Sequence, residues 1–359
     1  MKYYGLVFFV IVITGLVEPF NHTPSIAEIQ ISGTKAIKTD LSEINILIFV
    51  ADYVGYSYFE LRDILQEMGV TITTVGLTSQ HFACTNRGEN PIFIDTNVTV
   101  NQITEDLLTN FDALLLPSGG YWSSMLVQNN LLDLITMAYN KGLVIGSICI
   151  GMAILSELEI INGVHMVAHD VATYYLENNG AIIEYYSKVL RDKRIISGGS
   201  GGGLSGGSYL VAPHRELCET VLREILGYSY LSNLTITRQS SNYTLTVSLH
   251  NQNDLTEGSV EFYRVRAIVT RDQGAEIKTY SFSLDKDNIY TARIMDLPIG
   301  KYSVSIEIKT NESIIEIERD IGSIKTSNNI PSFEFGITFL GLLLILYIFK
   351  NINSTNLRD

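Results

Sequence analysis

Cysteine is scarce in this chain, with three among 359 residues. Cys84, Cys149 and Cys218 are too few for a disulfide framework and too widely spaced to suggest zinc, so no metal is expected. Positive charge is also in short supply: 25 Lys and Arg stand against 38 Asp and Glu, a net charge of −13. Nucleic-acid binding rewards clustered Lys and Arg, so the composition argues against that partner. No internal repeat stands out. The Gly-rich stretch 198–207 lacks the lysine that would complete a nucleotide phosphate loop, so no cofactor is expected. Its glycines instead suit a backbone wall that approaches a neighbour closely.

Long apolar runs occur only near the two ends. Lys2 precedes the apolar segment 5–17, the n-region and h-region of a secretory signal. No small-x-small cleavage site follows, so residues 1–20 read as either a signal peptide or an uncleaved anchor. Residues 333–349 are apolar except for Glu334 and Thr338. That length is at the short end of the roughly 17–25 residues a transmembrane helix needs. Lys350 and Arg358 behind it fit a cytoplasmic tail at 350–359. Sequons at Asn21, Asn97, Asn233, Asn242 and Asn311 suit an exported glycoprotein. Asn353 opens another inside the proposed tail, which shows how little one match carries. The expected localisation is therefore membrane-anchored, with the bulk of the chain extracytoplasmic.

Between these ends the hydrophobic pattern changes once. After a polar spacer at 21–43, residues 44–228 alternate apolar runs (44–50, 70–77, 111–117, 143–148, 181–188) with helical spacing (59–68, 104–110, 130–141, 173–178, 213–226). Strands alternating with helices predict a doubly wound parallel α/β sheet. Ligands of such sheets bind beyond the carboxyl ends of the strands. Residues 229–325 show period-2 alternation broken by turn signals, predicting a small antiparallel β-sandwich. A linker at 326–332 leads to the apolar segment 333–349.

Within the α/β region one stretch concentrates chemistry. Val144-Ile145-Gly146-Ser147-Ile148 runs into Cys149, followed by Ile150, Gly151 and a helical segment at 152–158. Strand, cysteine, glycine, helix is the layout of a nucleophile elbow. A thiol there would face a helix N-terminus, which favours thiolate. The competing reading is a buried structural cysteine. Asp52 closes the first strand, and His214 opens the last helix in Pro213-His214-Arg215-Glu216, where capping is the simpler reading. Cys84 and Cys218 read as core or interface thiols.

The elbow, the turn Leu114-Leu115-Leu116-Pro117-Ser118-Gly119-Gly120, and Glu67-Met68-Gly69-Val70-Thr71-Ile72-Thr73-Thr74-Val75-Gly76-Leu77 together resemble the ThiJ/PfpI family of the class I glutamine amidotransferase-like superfamily. The resemblance covers about half of the chain. It implies a flavodoxin-like fold and a homodimer through the α/β domain. It also implies Cys149 as nucleophile, the N–H groups of Gly120 and Ile150 as an oxyanion hole, and His169 near the thiol. His169 reads equally well as a surface or strand-end histidine. The chain departs from the family in two places. Ile150 stands where many members carry histidine, and Ser57 occupies the slot of the usual glutamate. Glu60 or Asp52 would have to substitute, although a solvated helix face is the plainer role for Glu60. Two functions follow as expectations. One is a cysteine-dependent hydrolase, deglycase or glyoxalase-like enzyme acting on small carbonyl or amide substrates. The other is a catalytically degenerate binding, scaffold or thiol-sensing protein.

Overall fold

The computed structural model describes residues 26–28, 40–83, 92–185, 187–199, 212–228, 230–239, 242–249, 260–271, 277–285, 289–311 and 314–326. The apolar segments 5–17 and 333–349, Cys84 and most of the Gly-rich stretch lie outside these residues. Among the described residues no helix is long and apolar enough to cross a membrane.

In chain order β1 (Ile26–Glu28) comes first, and the α/β part then contains β2 (Asn45–Val50), α1 (Tyr56–Glu67), β3 (Thr71–Gly76), the hairpin β4 (Gln80–Ala83) and β5 (Ile92–Asp95), and β6 (Val98–Thr99). There follow α2 (Glu105–Leu108), β7 (Ala113–Leu116), α3 (Trp122–Met125), α4 (Asn129–Asn140) and β8 (Val144–Ile148). A 3-10 segment (Cys149–Glu157), β9 (His165–Met166), α5 (Asp170–Asn178), β10 (Ile182–Ile183), β11 (Val189–Asp192), β12 (Ile195–Gly198) and α6 (His214–Leu226) complete it. The β-rich part adds β13 (Leu231–Gln239), β14 (Asn242–Leu249), β15 (Phe262–Arg271), β16 (Ile277–Ser281), β17 (Ser283–Leu284), β18 (Ile289–Ile294), β19 (Gly300–Thr310) and β20 (Ile314–Thr326).

The central strands β12-β8-β7-β2-β3-β6 pair in parallel in that order. Such strands are covered by helices on both faces, so every position must be apolar or small. Accordingly β7 and β8 are buried throughout, and β2 is buried from Ile46 onward. The strand order reverses between β2 and β7. The carboxyl ends of these two strands, and of β8 beside them, therefore share one crevice.

Three expectations need correction. The segment after Cys149 is a 3-10 helix rather than an α-helix. The stretch expected as one strand at 181–188 is the short β10, and β11 follows it as a further strand antiparallel to β12. The spacer 21–43 contains β1, which pairs with β13 of the sandwich.

The sandwich is also joined to the α/β sheet. Its first sheet runs β1-β13-β14-β18-β17, and its second, β16-β15-β19-β20, continues through β11 into the parallel sheet. β20 pairs in parallel with β11, from Val189 opposite Ile314 to Asp192 opposite Ile317. An uncovered β11 edge would expose unpaired backbone groups; β20 satisfies them. Val167, Leu190, Ile315 and Ile317 form a small apolar core at the seam.

Buried charge reinforces this seam. Arg191 on β11 pairs with Glu224 of α6 (2.7 Å) and with Glu316 (3.7 Å) and Glu318 of β20. Burial opposes the charge on Arg191, but Glu318, Glu316 and Glu224 more than offset it and hold its pKa up. Arg223 lies 3.7 Å from Glu316 and stacks on Tyr230, its guanidinium carbon 3.7 Å from the ring centre. On the other side of the strand, buried Asp192 binds Arg319 and accepts from the N–H of His165 (2.7 Å). Removing one partner from such a cluster leaves uncompensated buried charge, at a cost of about 3–5 kcal/mol. Arg191→Ala is therefore expected to lower unfolding free energy by about that amount in urea titrations at neutral pH. Lys141→Ala, which breaks an exposed pair with Glu105, should leave the midpoint in place. Equal effects of the two substitutions would contradict this account of the seam.

Candidate active site

Cys149 directly follows β8 with φ of 56°, in the left-handed region. A non-glycine residue there is strained, and such residues persist only where the surroundings over-determine them. Here the constraint comes from Gly151. A Cβ at that position would lie 2.4 Å from the Pro117 carbonyl oxygen and 2.8 Å from that of Leu116. Backbone thus rests on backbone behind the thiol, and only glycine permits the approach. The sulfur is turned toward the loop that follows β7.

The groups bonded to that sulfur are the hydroxyl of Ser118 and the N–H of Ile150. Cys149 is only 4% exposed. Burial is the largest influence and pushes the thiol pKa up, while both hydrogen bonds pull the other way. The resting thiol is therefore neutral at pH 7, contrary to the thiolate expected from a helix terminus. The desolvation of the charged form outweighs what the short 3-10 turn offers.

The turn after β7 is pinned to the loop after β2. Gly55 N–H donates to the Ser118 carbonyl (3.0 Å), and Gly120 N–H donates to the Tyr53 carbonyl (2.9 Å). This corrects the expected oxyanion hole, because the Gly120 donor is already committed. Gly119 faces Val54 between these two bonds. In that kind of pair its own N–H points away from Val54, and among the described residues it has no hydrogen-bond partner. A Cβ on Gly119 would lie 2.4 Å from the Tyr121 ring and 2.8 Å from the Tyr53 carbonyl oxygen. Among the described residues the free donor of the elbow is thus Gly119, since the Ile150 N–H is engaged with the sulfur. Tyr53 is itself strained, with φ of 68°, and is exposed beside the turn. Its ring packs edge-on against Phe82 at 4.5 Å.

The other sequence candidates divide into two groups. His169 caps α5: its Nδ1 accepts from the Val171 N–H (3.3 Å), and it is not among the groups that perturb the thiol. Asp52 turns to His81. Thr78 N–H donates to Nε2 of that ring (3.2 Å), which leaves Nδ1–H to donate to Asp52 Oδ1 (3.1 Å). Cys218 is fully buried, its pKa pushed up chiefly by burial. Ser57 by contact and Glu60 through its charge, by contrast, act on a residue that the sequence reading set aside as a cap. Ser57, in the first turn of α1, is fully buried with its Oγ 3.1 Å from Nε2 of His214. His214 opens α6 and is itself buried. Burial lowers its pKa, partly countered by the charge of Glu60, a bond to the Ala212 carbonyl and the charge of Glu216. No group of three or more metal-type side chains occurs among the described residues.

Sequence reasoning missed Ser118 and Gly119 and undervalued His214. The signal for the first two was present in Pro-Ser-Gly-Gly, two residues and one residue upstream of the glycine chosen. Nothing local announced the Ser57–His214 contact, which spans 157 positions.

Residues 44–204 match the sequence profile of the DJ-1/PfpI family. No curated protein matches the chain. Among solved structures it is similar to an Anabaena variabilis protein with DJ-1/ThiJ/PfpI-like and ferritin-like domains (TM-score 0.43, 18% identity), covering 52% of this chain and 48% of that one. It is also similar to a ThiJ/PfpI domain protein of Brachyspira murdochii (TM-score 0.43, 13% identity; 53% and 99% covered) and to DJ-1beta of Drosophila melanogaster (TM-score 0.42, 18% identity; 52% and 91% covered).

Two outcomes follow from this geometry. Gly151→Ala forces a methyl group into immobile carbonyls, and overpacking of that kind costs about 1–3 kcal/mol. Urea unfolding should show that loss; an unchanged midpoint would contradict the backbone contact. The depressed pKa of His214 makes protonation easier in the unfolded chain. The resulting penalty is absent above the unfolded value near pH 6.5 and grows as pH falls toward the folded value. His214→Gln should therefore flatten the acid limb of a stability-versus-pH curve, and an unaltered limb would count against a buried neutral ring.

Proposed function

From the premise that residues 44–204 belong to the DJ-1/PfpI family, we propose that the chain uses Cys149 as a nucleophile toward small carbonyl electrophiles. The observation that carries this reading is the strained left-handed backbone of Cys149 beside the Gly119 N–H, which has no hydrogen-bond partner among the described residues. In the addition step Sγ bonds to the carbonyl carbon as the C–O π bond opens. The oxygen takes up the proton that the thiol gives up, yielding a thiohemiacetal without any co-reactant. The N–H of Gly119 is the donor for the developing oxyanion, and that of Ile150, engaged with the sulfur at rest, joins it only if the sulfur gives it up on bonding to carbon. Ser118, bonded to the sulfur, holds it in line. A hydroxyl in place of the family's usual glutamate, Ser57, and Ile150 in place of histidine leave the thiol without an acid or imidazole in contact.

A second reading, a binding or thiol-sensing domain with slow chemistry, draws on the raised thiol pKa. A homodimer through the α/β domain belongs to the proposal in either case. So does an extracytoplasmic, membrane-anchored placement through residues 5–17 and 333–349, supported by the sequence pattern alone. The deciding experiment incubates the full chain with a small α-oxoaldehyde at neutral pH and maps adducts by peptide mass spectrometry, alongside substrate consumption. The enzymatic reading expects turnover that Cys149→Ser abolishes. A stoichiometric Cys149 adduct without turnover favours the sensing reading, and no adduct at Cys149 overturns both.

A further inference from the structure

The site as described lacks a base in contact with its thiol, yet a buried hydroxyl–imidazole pair lies at the same edge of the sheet. Three observations place it there. α1 follows the carboxyl end of β2, and α6 follows that of β12, so both helix N-termini stand on the side where Cys149 follows β8. Ser57 is two residues beyond Gly55, whose N–H holds the Ser118 carbonyl (3.0 Å), while the hydroxyl of Ser118 holds the sulfur. Leu217, one turn after His214, packs against Gly198 at the end of β12, and Ile148, the neighbour of Cys149, meets the same glycine.

We propose that His214, acting through the hydroxyl of Ser57, is the proton acceptor of the Cys149 site, and that it works as a general base only when an electrophile is present. This rests on the reading of Cys149 as a nucleophile. The step balances within the chain. The Sγ–H bond breaks as Sγ bonds to the electrophile, the Ser57 hydroxyl takes that proton and passes its own to Nε2 of His214, and the ring becomes imidazolium. The neighbouring charges suit this. Glu60 on α1 and Glu216 on α6 are the carboxylates acting on the ring, and the Ala212 carbonyl is bonded to it. The strands beneath α6 present apolar side chains at that end, Ile148 among them. Burial holds the thiol and the ring neutral at rest. The site would therefore not carry the preformed thiolate–imidazolium pair that makes many cysteine nucleophiles reactive at all times. Ser57, which takes the proton from the reacting sulfur, is a catalytic residue on this account, and His214, which acts through it, is a positioning residue.

The test is the pH dependence of Cys149 alkylation by iodoacetamide in the full chain, followed by peptide mapping, for wild type, Ser57→Ala, Ser57→Thr and His214→Asn. The wild-type rate should show a low-pH limb, below the ordinary histidine value, and a second rise as thiolate forms in alkali. Ser57→Ala and His214→Asn should lose the first limb and react roughly tenfold or more slowly at pH 7, within the range of general-base effects. Both should converge on wild type in strong alkali, where the thiolate needs no base. Ser57→Thr, which keeps the hydroxyl, should restore the limb. A purely structural role would slow both limbs together, so parallel profiles overturn the proposal, as does a low-pH limb that survives both substitutions. If wild-type Cys149 is unmodified at every pH, the nucleophile reading falls and the relay falls with it.

Discussion

The contact between Gly151 and the carbonyls of Leu116 and Pro117 sets the rest of the site. Because that glycine lets two backbones touch, the chain leaving β8 turns sharply, and Cys149 is forced into a conformation that residues with a Cβ avoid. The same approach brings the turn after β7 against the sulfur, so that Ser118 binds the thiol while its carbonyl is tied to Gly55. Tyr53, the other strained residue near the site, accepts the bond from Gly120. Strain at Cys149 and Tyr53 is thus held by one short turn between them, a pattern that fits a pre-organised pocket better than incidental distortion.

Such a site needs a rigid frame, and the frame here extends beyond the α/β domain. β20 gives β11 its missing neighbour, and the cluster around Arg191, Arg223, Glu224, Glu316 and Glu318 locks α6 to the sandwich. α6 begins with His214, so the sandwich bears indirectly on the imidazole beside Ser57. The β-rich part therefore continues the α/β sheet through β20 and β11. Buried ion pairs are weak sources of net stability but costly to break singly, which suits a seam that fixes position.

Much of this was legible in the sequence, for identifiable reasons. The runs at β2, β7 and β8 are apolar or small almost throughout because parallel strands are buried on both faces, and the Cys149-Ile150-Gly151 step carried the elbow. Alternation in 229–325 revealed the sandwich strands. What was not legible depends on long-range contact. The pairing of β11 with β20 joins residues more than a hundred positions apart, and Ser57 meets His214 across a similar gap. Periodicity cannot report either. The direction of the Cys149 pKa was misjudged because a helix terminus can be read from sequence, whereas the degree of burial cannot. That the Gly120 N–H is committed to Tyr53 was not legible either, because that bond depends on how two loops meet.

The most direct test of the central claim is a crystal structure of the full chain after reaction with a small α-oxoaldehyde. The account predicts a carbon–sulfur bond at Cys149, with the former carbonyl oxygen about 2.7–3.1 Å from the Gly119 N–H and the left-handed backbone retained. An adduct confined to Cys218 or to surface lysines, with Cys149 Sγ unmodified and packed among aliphatic side chains, would contradict it.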